Sequence, residues 1–156
     1  MPVFRWIRPN TVSDGLARLV SLKSTRLDVE RTLGPPDQTI DNEHLTYYFP
    51  DVVVYFYFTS NPKCRQKLPY TSWDVTADTL TGIDVTLRHP KLVEESGIDL
   101  TKFKKVNTGS DMLDSYYYLS DDSSFAIDAD NNYITGYHYQ PGSKRDVLRC
   151  QPTKQP

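Results

Sequence analysis

The spacing of apolar residues changes from helical to alternating near residue 37. Before it, Leu16, Leu19 and Val20 fall on one side of a short helix running to Val20, with Ser13 or Asp14 as its cap. A second helix is predicted by STRLDVERTLGPP, residues 24–36. Thr25 can accept from the free N–H groups of its first turn, and Asp28 sets a carboxylate beside the positive end of the helix dipole. Leu22, Val29 and Leu33 make one apolar stripe. Gly34 supplies the left-handed position that ends the helix, and Pro35 and Pro36 forbid its continuation.

Beyond residue 37 the pattern is that of strands. HLTYYF (44–49) and VVVYFYF (52–58) are rich in β-branched and aromatic residues and are separated by Pro50-Asp51, a turn pair. Residues 61–71 read as a loop. Ile83, Val85 and Leu87 alternate with polar residues in a third strand, which Pro90 should stop. Residues 89–111 are irregular, with a helical turn before Gly97. SYYYL (115–119), SFAID (124–128) and YITGYHY (133–139) then form a meander whose turns, SDDS and ADNN, are rich in Asp and Asn. Helices followed by strands predict an α+β fold: short N-terminal helices packed on antiparallel sheet of about six strands in two three-stranded clusters. The expected organisation is a single domain over 1–152, with subdomains at 13–90 and 99–150 as an option, and a disordered tail at 153–156.

Composition narrows the function more than the fold. A chain of 156 residues can bury a core without help from a metal. Lys plus Arg is 18 against 20 for Asp plus Glu, which lacks the basic excess of a general nucleic-acid binder. No apolar run approaches the length of a membrane span. The opening MPVFRWIRPNTVSDG holds no leader-like apolar stretch, so an exported form would carry a leader already removed.

The chemistry-bearing residues are scattered. His44, His89 and His138 each stand alone, and no HExxH, GxSxG or phosphate-binding loop occurs. A dispersed hydrolase site would need a concave pocket holding a His beside a Cys or a carboxylate. Asp128, Asp130 and Asn132 have the first spacings of a calcium loop, but Tyr133 and Tyr139 stand where such a loop needs Gly and Glu. A hairpin turn is the expectation there, with no metal and no cofactor. Cys64 and Cys150 form either one long-range disulfide or two unrelated buried thiols. The tyrosines are the distinctive feature. With 11 Tyr, 6 Phe and 2 Trp, alternating strands must turn some rings outward unless another element covers them. Tyr47, Tyr55, Tyr57, Tyr116, Tyr118 and Tyr137 are therefore candidates for a surface that recognises a protein or a glycan.

The order of a short turn, a Thr-capped helix, LG-P and antiparallel strands resembles a helix–helix–strand module found in two groups. One is the small lipoprotein of the outer-membrane β-barrel assembly machinery, and the other is β-lactamase-inhibitor protein. LKSTRLDVERTLGPP (22–36), the Cys64 loop with Trp73, DTLTGIDVTL (78–87), DLTKFKK (99–105) and YQPGSKRDVLRC (139–150) also resemble a group of exported bacterial proteins that brings no activity to transfer. The resemblance implies a secreted or periplasmic compartment and favours a Cys64–Cys150 bridge. It implies a non-enzymatic module that binds another protein; the alternative, read from the Tyr-rich strands, is a glycan or small ligand. No lipidated N-terminal Cys is present, which departs from the lipoprotein pattern.

Overall fold

The computed structural model describes residues 15–41, 43–59, 73–108 and 115–150. Residues 1–14, the expected loop at 61–71 with Cys64, and the expected tail at 153–156 lie outside the described residues. Of the first expected helix the described part is a helical turn over 15–17, closed by Arg18 N–H to Gly15 O at 3.1 Å.

The second helix forms as its local signals dictate. Helix α1 spans Arg26–Leu33, and Thr25 and Asp28 complete a capping box in which each side chain accepts from the other's backbone N–H. Gly34 ends the helix at φ 83°, a conformation that a side chain would strain. Val29 and Leu33 are buried. The segment before the helix is sewn to the start of a later strand by Leu22 N–H to Leu80 O at 2.7 Å and Leu80 N–H to Ser24 O at 2.8 Å.

Among the described residues eight strands follow: β1 (Gln38–Asp41), β2 (His44–Tyr48), β3 (Val52–Phe58), β4 (Leu80–Leu92), β5 (Lys104–Asn107), β6 (Ser115–Leu119), β7 (Phe125–Asp130) and β8 (Tyr133–Tyr139). They form one antiparallel sheet in the order β1-β2-β3-β4-β8-β7-β6-β5. Two meanders, β1 to β4 and β5 to β8, thus join through their last strands.

This architecture overturns the expected α+β fold of about six strands in two clusters. Among the described residues the only regular α-helix is short, and the chain is nearly all β in a single eight-stranded sheet. The two unanticipated strands, β1 and β5, are the sheet edges. Their residues are almost wholly exposed, so neither QTID nor KKVN carries the apolar alternation that marks a half-buried strand.

Pro90 does not stop the third predicted strand. β4 continues to Leu92 because its pairing with β8 breaks after Thr86 and resumes at Lys91, so Pro90 lies in a wide bulge with no ladder donor required of it. At the near side of the bulge Gly136 of β8 faces Thr86, and a Cβ there would lie 2.6 Å from the Val85 carbonyl oxygen. The ADNN turn is a two-residue hairpin. Asn131 and Asn132 both take positive φ, 48° and 66°, as a type I′ turn demands.

One face of the β1–β4 meander holds the main core. Val29 and Leu33 of α1 pack with Leu45, Tyr47, Val54, Phe56, Ile83 and Val85, and Leu16, Leu19 and Tyr137 close its margin. Tyr47 also donates to Gly34 O at 2.8 Å, fixing the end of α1 to β2. With this face apolar, alternation turns Tyr55, Tyr57, Asp84 and His138 to the other side of the sheet.

Candidate functional site

The seam between the two meanders carries a polar network that crosses from one meander to the other. Asp84 of β4 stands directly opposite His138 of β8. His138 Nδ1 meets Asp84 Oδ1 in a short hydrogen bond, and Tyr57 donates from its hydroxyl to Asp84 Oδ2 at 2.8 Å. On the far side of the imidazole, Nε2 faces Gln140 Oε1 at 3.2 Å. Gln140 is oriented by its own Nε2, which donates to Ser123 O at 2.6 Å.

This geometry favours the protonated ring. Nδ1 faces the Asp84 carboxylate and Nε2 faces the Gln140 side-chain oxygen, two acceptors that a doubly protonated imidazole can serve. The Asp84 hydrogen bond outweighs burial and raises the His138 pKa above its ordinary value. Burial pushes the Asp84 carboxyl upward, but hydrogen bonds from His138 and Tyr57 prevail and hold it below the ordinary carboxylate range.

Two adjacent cavities open along this network. One, of about 380 Å³, is lined by Tyr55, Tyr57, Asp84, Asp128, Gly136 and His138 among others. The second, of about 360 Å³, shares Tyr57, Asp84 and His138 and extends to Trp73, Gln140 and Arg149. Its outer wall is the C-terminal segment. Asp74 N–H donates to Leu148 O at 2.7 Å, Trp73 and Arg149 form a β-bridge, and the Arg149 guanidinium lies 4.3 Å from the Trp73 ring centre. Together the cavities form a trough along β3, β4 and β8.

The six candidate tyrosines divide between the two faces. Tyr55, Tyr57 and Tyr137 line the larger cavity, although the Tyr137 ring packs toward the core and stacks on Phe125. Tyr47 is buried in the core. Tyr116 is also buried, donates to Asn132 Oδ1 at 3.0 Å, and lies under the Lys105 ammonium at 3.7 Å. Tyr118 is half-buried and meets the Tyr116 ring edge-on. Cys150 is buried, and there is no free cysteine among the described residues. Its expected partner, Cys64, lies outside them.

Of the histidines, His44 pairs with Asp41 at 2.7 Å at the surface, and His89 is exposed. Only His138 meets the geometric condition for a dispersed hydrolase, a His beside a carboxylate in a concave pocket. No Ser, Thr or Cys among the described residues hydrogen-bonds to it, and both its nitrogens are engaged by Asp84 and Gln140. Among the described residues no group of three metal-ligating side chains converges.

Asp84, Asp128, His138 and Gln140 were not recognisable as a group in the sequence. Asp84 and His138 lie 54 positions apart and meet only through the pairing of β4 with β8. The available signal was modest: Asp84 is a charged residue between apolar Ile83 and Val85 in mid-strand, and such a residue needs a partner.

The fold defines a class only broadly, an antiparallel sheet domain with a helix on one face and a polar, aromatic trough on the other. No protein-family model, curated protein or solved structure matches the chain.

Proposed function

We propose that this chain is a non-enzymatic, exported module that binds another protein through the trough at the meander seam. The observation that carries the reading is the trough itself, in which half-exposed Tyr55 and Tyr57 flank a rigid Tyr57–Asp84–His138–Gln140 network. Tyr rings provide stiff contact area with little entropy to lose on binding. The network holds its members in fixed rotamers, which favours preorganised recognition over proton transfer. The sheet edges are less suited to a partner: β5 presents Lys104 and Lys105, and β1 is only four residues long. The resemblance of residues 22–36 and 139–150 to exported bacterial proteins supports a secreted or periplasmic location and the Cys64–Cys150 bridge.

The test is affinity capture from envelope and secreted fractions with the wild type and with Tyr55→Ala. A partner held by the wild type and lost by the variant supports the reading. Capture of nothing, or equal capture by both, counts against it. A second reading, glycan binding, is favoured by the placement of Tyr55, Tyr57 and Trp73 beside carboxylates in the same trough. Saturable hits on a glycan array that disappear in Tyr57→Phe would establish it instead.

A further inference from the structure

We infer that the group this trough selects is a cationic side chain, a lysine or arginine of the partner, docked against Asp128. The inference rests on the protein-binding reading above and assigns the chemistry of the group recognised.

The charges in the trough are not equivalent. Asp84 is satisfied twice, by the Tyr57 hydroxyl and by the His138 imidazolium, and His138 is itself spent on Asp84 and Gln140. At the far end, Arg149 pairs with Asp146 at 3.1 Å. Asp128 is different. It sits on β7 opposite Gly136, its side chain is exposed in the larger cavity, and its carboxylate makes no hydrogen bond or ion pair among the described residues. Its cross-strand neighbours, Tyr117 and Gly136, bring no positive charge.

The surroundings suit a cation. Although the side chain is reached by solvent, its position within the cavity partly desolvates the carboxylate, and this pushes the Asp128 carboxyl above its ordinary value despite the nearby His138 charge. A partner's ammonium or guanidinium would recover that cost. Tyr55 and Tyr57 line the same cavity, and aromatic rings attract cations. Thr86 and Thr135 offer hydroxyl oxygens that can accept from a guanidinium. At about 380 Å³ the cavity lies near the lower end of the ligand-cleft range, a size for one side chain rather than for a long oligomer. An anion would find no uncommitted positive group here among the described residues.

The experiment is a titration of the ¹⁵N-labelled full chain, followed by amide chemical shifts, at pH 7. The probes are N-acetyl-arginine methylamide, the lysine equivalent, and the neutral citrulline isostere. Saturable shifts centred on Asp128, Gly136 and His138 are expected with both cations, with binding about tenfold weaker for citrulline. Asp128→Asn should erase that preference, whereas Asp130→Asn, on the same strand but outside the cavity, should keep it. Absence of saturable shifts at the trough, equal binding of citrulline, or an unchanged preference in a folded Asp128→Asn variant overturns the inference. The two readings fail separately. A partner lost with Tyr55→Ala but held equally by Asp128→Asn leaves protein binding standing and removes the cationic anchor.

Discussion

Asp84 shows how much one residue's meaning depends on its neighbours. In sequence it is one polar position of an alternating strand. In the sheet it accepts from Tyr57 on one side and His138 on the other, with the Asp84 and His138 side chains each 33% exposed. Such a pair stabilises only while it is charged on both sides. His138 has a raised pKa, so its contribution is complete below the ordinary value of 6.5 and is lost as pH rises through the higher folded value. Asp84 has a lowered pKa, so its contribution is complete above 3.8 and is lost as pH falls through the lower folded value. The stability difference between wild type and Asp84→Asn should therefore be greatest between pH 3.8 and 6.5 and narrow on both sides. Urea unfolding across pH measures it, and a difference that does not vary with pH would show that the pair carries no charge coupling.

At the scale of elements, legibility followed locality. Helix α1 could be read in full because its cap, its dipole partner and its stop are all within a few residues of it. Thr25→Ala should lower the unfolding free energy by about 1 kcal/mol, with Thr25→Ser recovering most of the loss. Chemical denaturation would show this as a shift in midpoint, and an unshifted midpoint would mean that Leu22–Thr25 pairing with Asp78–Leu80 holds the helix without its cap. β2, β3, β6, β7, β8 and the central part of β4 were legible from apolar and aromatic alternation or from their turns. The edge strands were not, because an edge exposed to water imposes no apolar period. Pro90 was misread for a related reason: whether a proline interrupts a strand depends on whether its position needs a donor, and the bulge after Thr86 removes that need.

For the molecule as a whole, the consequential feature is the β4–β8 junction. It makes one sheet of two meanders and creates the trough. Because β4 and β8 pair on both sides of the bulge, the halves should open together. In native-state hydrogen exchange, the amides of Val54 in β3 and Ile127 in β7, both fully buried, should exchange with the same global free energy. Clearly weaker protection of Ile127 would reveal two separately opening units. The proposed Cys64–Cys150 bridge belongs to the same scale, since it would tie the segment between β3 and β4 to the C-terminal wall of the trough. Intact mass should rise by two hydrogens on reduction, and the reduced chain should be less stable by about 2–5 kcal/mol. An unchanged mass would remove the bridge.

By itself the sequence determined α1, six of the strands, the turn chemistry of Asn131 and Asn132, and a composition without basic excess. These depend on interactions within a few residues or on composition, and both can be read along a line. The tertiary structure alone decided that the strands share one sheet, that its edges are β1 and β5, and that Asp84, His138 and Asp128 gather on one face. Strand pairing is set by the summed burial of a whole face and by which edges find each other, so no local pattern records it. The tyrosines illustrate the division. Their alternation announced that some rings would turn outward, but only the β4–β8 seam chose Tyr55 and Tyr57 for the trough and left Tyr47 in the core.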